Sequence, residues 1–187
     1  MEFSGTRQLP IDSLGLSQIY LSAQKLAAVD KWFDPRHMEG FGPLPVHDFG
    51  DGRYTLVDGH TRAYMAWKSG VPALPVRYNT DEIVAGPTGQ LLYRADLAWC
   101  RRFGLSHIRC LGPRILNAAD YQRLWITRCD RSYDLLTQTT PEEQEKFRAL
   151  APHLFLYGAS EDLSTLYFEN QAGALFLYQN NTLLPEP

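Results

Sequence analysis

Hydrophobic and polar positions change period several times along the chain, and each change marks an element. Arg7 to Leu14, RQLPIDSL, carries a strand-like piece. Ser22 is placed as an N-cap, and Leu26, Val29 and Phe33 then recur at i, i+3 and i+7, which predicts a helix with one apolar face. Asp34-Pro35 ends it, because the residue before proline avoids the helical region. A Gly/Pro-rich loop follows from Pro35 to Pro43. LPVHDF and YTLVDG flank GDGR, and two short apolar runs around Asp51-Gly52 predict a β-hairpin. After Asp58-Gly59 the period becomes helical, with Ala63, Ala66, Trp67 and Gly70 on one close-packing face, and VPALPVRY returns to strand.

From Gln90 to Leu136 the pattern is helical. Leu92, Asp96 and Trp99 fall near one stripe, and Gly104 is placed as a C′ residue. Asn117 caps a longer helix with Tyr121, Leu124, Trp125 and Cys129 on its apolar face. Thr140 as N-cap, Pro141 at N1 and Glu142-Glu143 in the first turn open another helix. Beyond Ala151-Pro152, the runs HLFLYG, STLYFEN and ALFLYQN predict a small antiparallel meander. The expected organisation is α+β: a small mixed sheet with packed helices over residues 1–80, a helical subdomain over 81–139, and a helix plus antiparallel strands over 140–187.

The composition is that of an ordinary globular chain of 187 residues, 44% hydrophobic and 21% charged. The formal net charge is -3, without the basic excess expected of a chain that lives on a nucleic-acid backbone. No apolar run is long enough to span a bilayer, and MEFSGTRQLP has no apolar core for a signal peptide. The chain therefore reads as cytoplasmic and without a membrane partner. Cys100, Cys110 and Cys129 are expected to be reduced and unpaired, with Cys100 and Cys129 facing the helical core. Neither these cysteines nor His37, His47, His107 and His153 have metal-ligand spacing, so no metal site is expected.

The sharpest chemistry lies at Asp58-Gly59-His60-Thr61-Arg62, where a strand gives way to a helix. The first backbone N–H groups of a helix lack partners and carry partial positive charge, which favours phosphate. Gly59 lets a ligand approach closely, Thr61 offers a hydroxyl, Arg62 offers a fork of donors, and His60 can move a proton near neutral pH. Asp58 suits a substrate hydroxyl, a metal that accompanies a nucleotide, or a catalytic base. The plainer alternative is an N-cap, with Asp58 or Thr61 capping the helix and Arg62 a solvated charge. Phe33, Leu56, Ala66, Trp67 and Val76 are expected to share one core beneath this box. Eight arginines between Arg94 and Arg131 either line a groove or solvate helix surfaces.

The segment PLPVHDFGDGRYTLVDGHTRAYMAWKSGVPALPV resembles the core of the ParB/sulfiredoxin-like superfamily. The resemblance implies a phosphate-binding core in which Gly59, His60, Thr61 and Arg62 hold the phosphate. His60 stands where sulfiredoxin-like enzymes carry their reactive cysteine, which excludes that chemistry. Of the three arginines in the box of the DNA-partitioning members only Arg62 remains, with Thr61 and Tyr64 at the other places, and no helix-turn-helix follows. DGHTRA is more similar to the branch that includes free-serine kinases. In that branch a glutamate in the loop after the first strand acts as base. Here the matching loop, Leu16 to Tyr20, has no acid and offers Ser17 and Gln18 toward a substrate. Asp58 and His60 are then the remaining catalytic candidates. The chain also resembles a group of uncharacterised bacterial proteins through Ser17, Gln18, Tyr20, Lys25, Leu26, Trp32, Phe33 and the DGHTRA box. The implied function is nucleotide or phosphate binding, with ATP, ADP or CTP and magnesium as cofactors, and in an enzymatic form phosphoryl transfer to a small hydroxyl compound. The competing function is a non-catalytic module for nucleic acid or protein. A homodimer is compatible with the aromatic C-terminal strands.

Overall fold

The computed structural model describes residues 2–186, which divide into two compact units, the first ending at Tyr121 and the second starting at Gln122. The segment expected as a helical subdomain, 81–139, is therefore shared between the two units. The boundary falls inside the run of helical residues that Asn117 opens, where local periodicity gives no sign of a break.

In the first unit, β1 (Thr6–Pro10), β5 (Ala73–Tyr78), β3 (Leu44–Asp48) and β4 (Tyr54–Leu56) form a mixed sheet in the order β1-β5-β3-β4. β3 and β5 run parallel, and the other pairs are antiparallel. β1 is shorter than the expected strand and turns into a 3-10 segment at Ile11–Ser13. The β3–β4 hairpin forms with Val46 opposite Leu56 and Asp48 opposite Tyr54. Its turn is held by Asp48 Oδ1, which accepts from the N–H groups of Gly50 and Gly52 at 3.0 and 3.1 Å.

β2 (Leu21–Ser22) leads into α1 (Ala23–Asp30), and Ser22 caps that helix by accepting from the Lys25 N–H. α1 buries none of its residues and ends at Asp30, so Phe33 lies off the helix and the predicted i, i+7 stripe does not extend to it. Phe33 is half-buried, with its ring 5.7 Å from that of Phe41. The expected common core holds for Leu56, Ala66 and Val76, each fully buried, whereas Trp67 is half-buried beside Tyr64.

α2 (His60–Lys68) connects the hairpin to β5. α3 (Glu82–Ala85) and α4 (Pro87–Arg102) follow; Leu97 packs with Val84 and Phe49, and Tyr93 donates to the Val57 carbonyl. Gly104 ends α4 at φ +66° as expected, and the Leu105 N–H reaches back to the Cys100 carbonyl at 2.8 Å. A 3-10 segment, Ile108–Arg114, and β6 (Ile115–Leu116) interrupt the predicted helical region, and β6 pairs parallel with β2. Asn117 caps α5 (Ala118–Tyr121) through its side chain, which accepts from the Asp120 N–H at 2.9 Å.

The second unit opens with a π-helical turn, Gln122–Ile126, and α6 (Thr127–Gln138). α7 (Pro141–Ala149) starts at a full capping box between Thr140 and Glu143. β7 (Phe155–Ala159), β8 (Leu166–Glu169), β9 (Leu175–Gln179) and β10 (Thr182–Pro185) form an antiparallel sheet in sequence order. β10 extends the expected three-stranded meander. Leu135, Ala151, Leu156, Ala159, Leu166 and Phe168 make the core of this unit. Arg128 and Glu169, both almost fully buried, pair at 3.1 Å across it. Arg131 binds Glu186 and the Tyr157 hydroxyl, each at 2.9 Å.

The described residues are thus α+β, with one mixed sheet, one antiparallel sheet and the two-stranded parallel β2–β6 pair. None of the three cysteines is in a disulfide; Cys100 is buried and Cys129 half-buried. Among the described residues no helix is long and apolar enough to cross a membrane.

Candidate functional site

The candidate site forms where β4 hands over to α2. Gly59 adopts φ +81°, a left-handed conformation that turns the chain into the helix. A Cβ there would come within 2.7 Å of Leu44 Cδ2 and 3.2 Å of Arg62 Nη2, so a side chain at this position is crowded as well as conformationally strained. The first helical carbonyl bond runs from Ala63 N–H to Gly59 O at 2.9 Å. The N–H groups of His60, Thr61 and Arg62 precede it and have no carbonyl behind them in the helix. No side chain caps this end, so the arrangement differs from the N-cap alternative.

A cleft of about 300 Å³ opens at that end, lined by Gln18, Lys25, Ala28, Val29 and the whole of Asp58 to Arg62. α1 provides one wall. Ala28 and Val29 give it an apolar strip, and Lys25 adds a cation whose Nζ lies 5.4 Å from the centroid of the Tyr121 ring. Arg62 supplies a second cation. Its Nη1 donates to the Phe41 carbonyl at 2.9 Å, which fixes the guanidinium and leaves further donors for a ligand. Asp58 is exposed and is the only carboxylate among the lining residues.

The side chains of His60 and Ser17 are engaged inside the fold. The His60 side chain is buried, and its Nε2 accepts from the Ser17 N–H at 3.2 Å. Burial pushes its pKa down to about 4, with Asp58 pulling weakly the other way. The ring is therefore neutral near pH 7 and fixes the Gly15–Ser17 loop rather than shuttling a proton. The Ser17 hydroxyl donates to the Leu56 carbonyl at 2.7 Å, and Ser17 is buried. The loop itself lies along β4 through bonds between Gly15 and both Tyr54 and Leu56. Of the two expected substrate-loop residues only Gln18 lines the cleft, with its amide nitrogen donating to the Tyr20 carbonyl and the Tyr121 hydroxyl.

The folded-state pKa of His60 lies below its ordinary 6.5, so the stability given by the neutral ring is complete above that pH and is lost as pH falls toward 4. At ~1.36 kcal/mol per pH unit, the parent protein should lose about 2–3 kcal/mol more than His60→Gln between pH 7 and 4.5. Urea unfolding at both pH values measures it, and equal losses would contradict the buried neutral ring.

Three members of the arginine run are engaged within their own units. Arg114 donates to the Ile19 carbonyl at 2.7 Å and lies between the rings of Tyr20 and Phe103, each 4.5 Å away. Arg128 and Arg131 are held by carboxylates inside the second unit. His47 is likewise satisfied, by the Asn79 carbonyl and the Gln90 side chain. Among the described residues, no group of three or more His, Cys, Asp or Glu is placed to hold a metal ion.

Lys25 was absent from the residues assigned to the site by sequence. Its signals are its place in the first turn of a capped helix and its presence among the residues that resemble the uncharacterised bacterial group. The chain matches no known family model and no curated protein.

Proposed function

We infer that the cleft at the start of α2 binds the phosphate of a nucleotide, or of another phosphorylated small molecule. The observation that carries this is the convergence of an uncapped helix N-terminus with two cations, Lys25 and Arg62, on one cleft. The helix offers N–H donors and partial positive charge. The cations neutralise the ligand, and the Ala28–Val29 strip suits its apolar part. The resemblance of DGHTRA to a ParB/sulfiredoxin-like phosphate box supports the same ligand class. In an enzymatic form the protein transfers a phosphoryl group to a small hydroxyl compound, with Asp58 as the base toward that hydroxyl. A magnesium ion arriving with ATP, ADP or CTP would meet the same carboxylate. The inward use of Arg114, Arg128 and Arg131 counts against the alternative of a nucleic-acid module.

Isothermal titration with nucleotides, with and without magnesium, tests this. Arg62→Ala should weaken binding by about 1.5–3 kcal/mol, the worth of a hydrogen bond to a charged group. Lys25→Ala should cost less, because that ammonium is exposed. Asp58→Asn should leave phosphate affinity unchanged or raise it, and should abolish turnover. An Arg62→Ala protein that binds as tightly as the parent removes the cleft as the phosphate site.

A further inference from the structure

We propose that Trp32 is a stacking platform for the base of a nucleotide whose phosphate sits at the start of α2. The proposal rests on the phosphate reading of that cleft and narrows its ligand to a nucleotide, as against a phosphorylated sugar.

α1 turns one face toward the cleft, with Lys25, Ala28 and Val29 among the lining residues. Trp32 continues that face, four residues after Ala28 and three after Val29. Although α1 ends at Asp30, the turn carries on: the Trp32 and Phe33 N–H groups both donate to the Val29 carbonyl, at 3.1 and 3.0 Å. Four residues at helical rise place Trp32 about 6 Å beyond Ala28 along the axis. The residue is 52% exposed, whereas Trp99 and Trp125 are buried and Trp67 is half-buried.

An exposed indole by itself needs no partner. This one is tied to the phosphate end of the cleft by a row of rings. Phe33 meets it at 6.3 Å between centroids and 86° between planes, and Phe41 backs Phe33 at 5.7 Å. The Phe41 carbonyl accepts from Arg62 Nη1 at 2.9 Å, and the Arg62 guanidinium carbon lies 5.7 Å from the Phe41 ring centroid. The indole therefore borders the Ala28–Val29 strip on one side and the mount of Arg62 on the other. The two cations and the helix N-terminus suit the anionic end of a ligand. The uncharged strip and the indole suit a flat aromatic end, which a nucleobase has and a sugar lacks.

AMP and ribose 5-phosphate carry the same phosphate and sugar and differ in the base, so titrating the full-length protein with each isolates the stack. The parent should bind AMP at least about five-fold more tightly, the lower end of what one base–aromatic stack contributes. Trp32→Ala, with unchanged circular dichroism, should lose that preference, and Trp32→Phe should keep most of it. AMP should quench tryptophan emission in the parent and not in Trp32→Ala, and ribose 5-phosphate should quench neither. Arg62→Ala should weaken both ligands. Equal binding of the two ligands by the parent, or a Trp32→Ala protein that keeps the preference, would overturn the stack; the phosphate reading then stands if Arg62→Ala still weakens both. Binding of both ligands that is indifferent to Arg62→Ala removes the phosphate reading, and the stack with it.

Discussion

Glu169→Gln should destabilise the second unit by about 3–5 kcal/mol, the cost of leaving one member of a buried ion pair uncompensated. Arg128 and Glu169 are each under one-twentieth exposed, and two contacts of 3.1 and 3.3 Å join guanidinium to carboxylate. The Arg128 guanidinium also lies 4.4 Å from the Tyr157 ring centroid, so it cannot swing to water without unpacking the sheet. Glutamine keeps the shape and removes the charge. Chemical denaturation of parent and variant measures the loss. The double variant Arg128→Met/Glu169→Leu should recover most of it, because desolvating two charges offsets much of what their attraction contributes. A single variant within about 0.5 kcal/mol of the parent, the range of ordinary surface substitutions, would show that the pair is solvated.

The second large effect is expected at Gly59. Replacing it with alanine forces a side chain into a left-handed conformation, at about 1–2 kcal/mol. The new Cβ also collides with Leu44 Cδ2 and crowds Arg62, which adds about 1–3 kcal/mol of overpacking. Together the substitution should cost about 2–5 kcal/mol in urea unfolding and displace the Arg62 guanidinium, so ligand affinity should fall with stability. Gly70→Ala is the control. Gly70 also has a positive φ, +79°, yet open space surrounds its Cβ position, so only the conformational part applies. Equal losses at the two glycines would mean that the close approach to Leu44 relaxes.

Features encoded within a few residues were legible in the sequence. The Asn117 and Thr140 caps, the Gly104 terminator and the β3–β4 hairpin each depend on residues within a few positions of the backbone they shape. The strand-to-helix switch at Gly59 was legible for the same reason. What the pattern concealed depends on contacts between distant segments. Lys25 reaches the cleft because α1 packs near α2, and nothing near Ser22 announces that. His60 could have pointed either way at the first helical position; the Ser17 loop, 43 residues away, draws it inward. Arg128 reads as one more surface charge until Glu169, 41 residues on, closes over it. β2 and β6 have two residues each, and β10 ends in Pro185, so neither periodicity nor propensity marks them. α1 is amphipathic by spacing, yet it buries no residue, because one face forms a cleft wall instead of core.

The most direct measurement of the phosphate-site claim is a ¹H–¹⁵N correlation titration of the full chain with inorganic phosphate, then with ATP and magnesium. The amides of His60, Thr61 and Arg62 should shift together and saturably, with the Arg62 side-chain Nε–H moving alongside them. Arg62→Ala should weaken the same response about 10–100-fold, from the loss of a hydrogen bond to a charged group. Shifts confined to other surfaces, or three amides unmoved at millimolar ligand, would contradict the account.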